Sequence, residues 1–288
     1  MRSWLYTPAN TPSRMINAPL LGADGVVFDL EDSISEEQKD EARLLLASML
    51  PTILLDTATV RPHVQIAVRI NGLDTKHWQD DLEAVVTSGG RLIRIPKVEG
   101  PGDIKEVDAL LNHLEKEGQI AEGSVGLHAL LETPRGIEAA FTIADSSSRL
   151  QGLGFGAEDY CAALRIGRAT ESSVLDYPRT RIANAAAAAA IHAFDAAWGF
   201  IEDSEGLKAE SQRSRRLGMH GKSAIHPSQI AIINDGFSFS KEEITYAKKI
   251  ISAMEDSAGV VSLDGRMIDR PVIAWARAVF ASIGEREI

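Results

Sequence analysis

The chain is poor in the residues that several common chemistries require. It has one cysteine, Cys161, which excludes an internal disulfide. No His-x-x-x-His pair and no Cys/His cluster occurs, which argues against a zinc site. Basic residues are outnumbered: 30 Lys and Arg against 41 Asp and Glu leave a net charge of −11, the wrong sign for nucleic acid or an anionic membrane as main partner. An anionic substrate would need local basic groups. No apolar run approaches the roughly 18 to 20 residues of a membrane span, and the opening residues have neither a signal-like apolar stretch nor a cleavage site. The expectation is a soluble cytoplasmic protein acting on small molecules, with no nucleic acid and no membrane as partner.

What is present is an alternation. Eight short apolar runs, at residues 3–7, 25–30, 65–70, 92–96, 125–131, 150–155, 193–200 and 221–225, read as parallel strands buried on both faces. Amphipathic stretches at 11–21, 35–50, 77–88, 102–117, 136–144, 178–192 and 204–217 lie between most of them. The alanine run at 185–190 belongs to the helical stretch that contains it. With 288 residues and 44% hydrophobic content, the pattern predicts an α/β fold, a (β/α)8 TIM barrel with its active site on one rim. The predicted boundaries are residues 1–235 for the barrel and 236–288 for a C-terminal extension of helix (241–257), turn-rich hairpin (259–272) and last helix. Pattern alone favours a surface appendage there over a lid.

The strand ends gather carboxylates: Asp29, Glu31 and Asp32, then Glu99, Glu132, Glu158 and Asp159, with Arg69, Asn71 and Lys97 among them. A hard cation such as Mg2+ takes oxygen ligands and uses one or two carboxylates while keeping waters and substrate oxygens. Glu132 and Asp159 suit that requirement, and Asp29, Glu31, Asp32 and Lys97 suit a surrounding shell that orients the metal's waters. The competing reading is solvated loop carboxylates or helix N-caps, weakened by so many on one rim. Arg69 could grip a substrate carboxylate bidentately or serve equally well as a structural partner of Asp29 to Asp32. Lys97 and Lys222 near strand ends admit a Schiff-base aldolase, ranked below a metal route because acidic neighbours keep a lysine charged. The glycines at 152–156 have the wrong spacing for a dinucleotide fingerprint and are read as allowing a ligand close to the backbone. His128, His220 and His226 are read as packing or hydrogen-bonding residues.

Taken together, the motifs resemble the citrate lyase beta-subunit family within the HpcH/HpaI aldolases. They are Arg2-Ser3 with Thr7-Pro8-Ala9-Asn10, Phe28-Asp29-Leu30-Glu31-Asp32-Ser33, Val68-Arg69-Ile70-Asn71, Ile95-Pro96-Lys97, Glu132-Thr133-Pro134-Arg135-Gly136-Ile137, Gly156-Ala157-Glu158-Asp159-Tyr160, Gly221-Lys222-Ser223 and Gly265-Arg266-Met267-Ile268-Asp269. The resemblance implies a Mg2+-dependent carbon-carbon lyase with Glu132 and Asp159 on the metal and Arg69 on the oxoacid. It implies a homotrimer or homohexamer in which Asp269 is delivered across a subunit boundary as acid/base, which reverses the preference for an inert tail. Arg14, Gly156 and Ala157 are then the candidate substrate and coenzyme A contacts. The expected substrate is an acyl-CoA, citramalyl-CoA or citryl-CoA, cleaved to acetyl-CoA and a 2-oxoacid. Alternatives are a malyl-CoA or methylmalyl-CoA lyase, an aldolase of free 2-oxoacids, and a subunit active only in a complex with a carrier protein.

Overall fold

The computed structural model describes residues 1–168, 173–255, 261–263 and 266–284. Eight parallel strands close on themselves: β1 (Ser3–Pro8), β2 (Gly25–Asp29), β3 (Gln65–Arg69), β4 (Leu92–Ile95), β5 (Gly126–Leu131), β6 (Leu150–Phe155), β7 (His192–Asp195) and β8 (Gly221–Ala224). Closure is made by β8 returning to β1, with Ser3 beside Lys222 and Leu5 beside Ala224. The helices between strands are α1 (Pro12–Asn17), α2 (Lys39–Val60), α3 (Trp78–Thr87), α4 (Pro101–Glu117), α5 (Pro134–Glu138), α6 (Ala140–Ala144), α7 (Ala157–Ala163), α8 (Asp176–Ala188) and α9 (Ser204–Arg216); α10 (Ser228–Gly236) follows β8. This is the (β/α)8 barrel expected from the alternation.

The strands read as unbroken apolar runs because both of their faces are buried. Trp4, Val27, Ala67, Leu92 and Phe194 point inward and fill the barrel. Their neighbours Leu5, Val26, Phe28, Val68, Ile93 and Leu127 face the helices. The inward face of β6 is glycine. A Cβ on Gly152 would lie 2.9 Å from the Phe194 ring, and one on Gly154 would lie 2.4 Å from Leu130 Cδ2. These two glycines therefore admit neighbouring barrel side chains, which corrects their reading as a site of ligand approach.

Three element boundaries also differ from expectation. The seventh strand stops at Asp195 instead of running to 200. Beyond it Gln229 Nε2 donates to the Trp198 carbonyl (2.8 Å), so side-chain bonding replaces the strand ladder while Ala196 and Trp198 stay buried. Helix α2 runs through Pro51 to Val60, because Leu46, Leu50, Ile53 and Thr57 continue one buried face. Helix α8 ends at Ala188, earlier than the expected 192, and Ala190 takes φ 55° as the chain turns into β7. Part of the segment Glu36–Val60 is long and apolar enough, by length and composition alone, to cross a membrane, although charged residues such as Arg43 and Asp56 interrupt it. Ala42, Leu46, Leu50 and Ile53 nevertheless belong to the barrel's hydrophobic core.

Residues 1–237 form one compact unit and residues 238–288 another. The second contains α11 (Lys241–Glu255), an antiparallel hairpin of β9 (Val261–Leu263) and β10 (Arg266–Ile268), and α12 (Arg270–Gly284). Its own small core is Ala247, Ile250, Ile268, Ala276 and Val279. Within the expected helix and hairpin, residues 256–260, 264 and 265 lie outside the described residues.

Candidate active site

The loops that follow the strands build the site. Asp29 ends β2, and its carboxylate accepts the backbone N–H groups of Glu31 (3.0 Å) and Ser33 (3.1 Å), which folds the Asp-Leu-Glu-Asp segment into a tight turn. Arg69, at the end of β3, forks onto the same carboxylate through Nε (2.6 Å) and Nη2 (2.7 Å). Its Nη1 lies 2.6 Å from Glu31 Oε2 and 3.2 Å from Asp32 Oδ2. Burial alone would raise the Asp29 pKa, but the Arg69 charge and its hydrogen bonds outweigh burial and hold it below the usual value. Of the two readings open for Arg69, the structure displays the salt bridge to the acidic turn.

Glu132 follows β5 directly. Thr133 caps the next helix by accepting from Gly136 N (3.2 Å), Pro134 occupies its first turn, and Gly136 fits where a Cβ would meet the Val98 carbonyl at 2.3 Å. The helix therefore starts at once and fixes Glu132 at the barrel mouth. Glu132 is buried, and its Oε2 accepts the backbone N–H of Lys97 at 3.1 Å. Burial first, then the negative charge of Glu31, pushes its pKa up to about 8. Gly156 makes room for this carboxylate, since a Cβ there would stand 2.8 Å from Glu132 Oε1. Asp159 lies in the first turn of α7, and its charge adds to the rise at Glu132.

A cavity of about 440 Å3 joins these groups. Arg14, Asp29, Asp32, Arg69, Glu132, Gly156, Ala157, Glu158 and Asp159 line it. Its apolar walls are Pro8, Leu130, Phe155, Ala196, Ala197 and Ile225, with Tyr6 and Ser223 beside them. Sequence reasoning overlooked Tyr6 and Leu130 in this role. The usable signal was register: Tyr6 stands two residues from inward-facing Trp4, on the same strand face. Glu31 and Lys97 stand behind the lining, tied by a 2.7 Å bond from Lys97 Nζ to Glu31 Oε1. Lys97 loses some basicity to burial, but Glu31 more than compensates and raises its pKa, so it is a cation and a poor nucleophile.

Lys222 is elsewhere. Its ammonium is fully buried and bonds Asp195 Oδ2 and Glu210 Oε1, each at 2.7 Å, so it does not line the cavity. His128 packs edge-on against Trp4 inside the barrel, His220 Nδ1 accepts from Ala193 N, and His226 pairs with Ser228. Asp269 belongs to the second unit, where its Oδ1 accepts from Val272 N (3.3 Å) at the start of α12. Among the described residues, no group of three or more His, Cys, Asp or Glu side chains is arranged to hold a metal.

The family model of the HpcH/HpaI aldolase/citrate lyase matches residues 2–227, most of the chain. The chain belongs to this family. It is similar to the citrate lyase subunit beta of Leuconostoc mesenteroides subsp. cremoris, 36% identical over 282 residues, covering 96% of this chain and 91% of that one. It is also similar to the (3S)-malyl-CoA thioesterase of Cereibacter sphaeroides, 33% identical and covering 97% and 93% of the two chains. Among solved structures, the protein CitE from Mycobacterium tuberculosis, in complex with magnesium, acetoacetate and coenzyme A, superposes with a TM-score of 0.79 at 30% identity, covering 98% of each chain. As a member of this family the chain is a lyase.

Proposed function

We propose that the chain is a Mg2+-dependent lyase that cleaves a 3-hydroxyacyl-CoA thioester, citramalyl-CoA or citryl-CoA, to acetyl-CoA and pyruvate or oxaloacetate. The observation that carries this reading is the placement of Glu132 and Asp159 on one cavity, with Arg14 and Arg69 on its lining and an apolar wall of Pro8, Leu130, Phe155 and Ile225. The donor set fits Mg2+: both donors are carboxylate oxygens, one is buried and strained toward protonation, and Gly156 leaves space beside it. Glu132 and Asp159 would hold the ion, and the ion supplies Lewis acidity toward the substrate's tertiary hydroxyl and adjacent carboxylate.

The protein's own groups do the rest. Lys97 and Glu31 hold Glu132 and Arg69 in place, and Glu132 gives up its proton as the site loads. Arg69, whose nitrogens are held by Asp29, Glu31 and Asp32, lines the cavity and would attract the oxoacid by its charge. The coenzyme A arm would leave past Arg14, which also lines a second cavity of about 440 Å3 with Ser13, Asn17 and His226. As the carbon-carbon bond breaks, its electrons pass to the acetyl-CoA fragment as an enolate and the tertiary hydroxyl's proton would leave to solvent; Asp269 of a neighbouring subunit would be the acid that returns a proton to the enolate carbon. This assigns the second unit the role of a lid in a homotrimer or homohexamer.

CitE of M. tuberculosis binds magnesium and coenzyme A, which supports the cofactor and the thioester. The similarity to citrate lyase beta subunits favours one second reading, in which the acyl group arrives on a carrier protein. The test is to incubate the purified chain with each thioester and Mg2+ and to follow acetyl-CoA and oxoacid separately. Release of both from one thioester names the substrate. Turnover only of a carrier-bound acyl group selects the second reading.

A further inference from the structure

Beneath the cavity floor lies a cation without a counterion. Arg94, midway along β4, is fully buried inside the barrel. Its guanidinium stacks 4.2 Å from the Trp4 ring and 5.5 Å from that of Phe194. No described carboxylate pairs with it, and its Nε and Nη2 find no hydrogen-bond acceptor. Its one hydrogen bond runs upward, from Nη1 to the Tyr6 hydroxyl oxygen at 3.1 Å. A buried guanidinium left in this state is costly unless a bound group compensates its charge.

Tyr6 is the only residue through which Arg94 reaches the cavity by a described hydrogen bond. It is half-buried and lines the cavity itself. Because the hydroxyl oxygen accepts from Arg94, its proton is free to be donated, and no described residue takes it. A hydroxyl that accepts from a cation becomes a stronger donor, since the bonds in such a chain polarise one another.

The site has need of such a donor. Arg69 is the obvious grip for a substrate carboxylate, yet its nitrogens already face oxygens of Asp29, Glu31 and Asp32. We infer that Tyr6, backed by the buried charge of Arg94, donates the hydrogen bond that recognises the carboxylate of the 2-oxoacid fragment on the cavity floor. Tyr6 is then a specificity-determining residue and Arg94 a positioning residue that never touches substrate. The inference rests on the lyase reading above.

The test is direct binding, with the intact chain saturated with Mg2+ and titrated calorimetrically with pyruvate, oxaloacetate and acetyl-CoA. Tyr6→Phe is expected to weaken the favoured oxoacid about tenfold, the scale of a hydrogen bond to a charged group, and to leave acetyl-CoA, which lacks that carboxylate, unchanged. Arg94→Met should cause a similar loss, and the double variant should lose little beyond Tyr6→Phe alone. Wild-type affinity in Tyr6→Phe, or equal loss for oxoacid and acetyl-CoA, overturns the inference. If Arg94→Met does not fold, Tyr6→Phe alone decides. An unaltered chain that binds neither oxoacid overturns the lyase reading and this inference with it, whereas oxoacid binding that ignores Tyr6 removes the inference alone.

Discussion

The backbone N–H of Lys97 reaches the Glu132 carboxylate at 3.1 Å because Lys97 adopts the left-handed conformation, φ 52°. A non-glycine residue in that region costs roughly 1 to 2 kcal/mol, and here the strain accompanies an aimed donor beside a candidate metal ligand. Comparing Lys97→Ala with Lys97→Gly removes the ammonium from both and isolates the backbone. The glycine variant should be the more stable by about 1 kcal/mol, read from urea denaturation midpoints. Equal stability, or a more stable alanine variant, contradicts the strain.

The raised pKa of Glu132 fixes a pH dependence. In the unfolded chain this group titrates near 4.5, whereas in the folded metal-free protein burial and Glu31 move it to about 8. Protonation is thus favoured by folding, so this contribution is fully present below pH 4.5 and is lost as pH rises toward and through about 8. Bound Mg2+ needs the carboxylate ionised, so its stabilising effect should grow over the same window and its binding should release protons. Thermal melts with and without Mg2+ from pH 6 upward test this, and in Glu132→Gln the pH trend should flatten.

Gly156→Ala should leave the barrel folded but push the Glu132 side chain, because the added Cβ would lie 2.4 Å from its Cγ. Mg2+ affinity is expected to fall about 10- to 100-fold, as for other losses of support around a metal. Unchanged affinity in a calorimetric titration would show that Glu132 has room to spare.

Lys222 belongs to stability. Lys222→Met would leave Asp195 and Glu210 short of one buried partner, which should cost about 3 to 5 kcal/mol. A variant of near-normal stability in urea would mean that the remaining cations, Arg179 at 2.8 Å from Asp195 and Arg168 at 3.1 Å from Glu210, compensate.

The barrel was legible because strands buried on both faces leave apolar runs that helices interrupt. The same signal misled at β7, where Ala196 and Trp198 follow the strand but still join the hydrophobic core and prolong the apolar run past Asp195. The second amphipathic stretch was expected to end at residue 50, yet the buried face from Leu46 to Thr57 continues across Pro51. The acidic residues could be located from strand ends, since a barrel rim gathers whatever follows its strands. The cavity wall was not legible, because Tyr6 and Leu130 look like core in any strand pattern and only their register turns them toward the mouth. The salt bridge of Arg69 to the Asp29 to Asp32 turn was one of two readings that the sequence left open, because spacing alone does not decide the partner of a residue 40 positions away.

Glu132 and Asp159 are proposed to hold the Mg2+ on which carbon-carbon cleavage depends. The most direct measurement is the Mg2+ titration of citramalyl-CoA and citryl-CoA cleavage, in wild type, Glu132→Gln and Asp159→Asn, with chelator reversal. The wild type is expected to release acetyl-CoA in a saturable, chelator-sensitive manner, and both folded variants are expected to lose metal-dependent turnover. Cleavage that persists in chelator, or Glu132→Gln turning over like the wild type, would contradict that assignment.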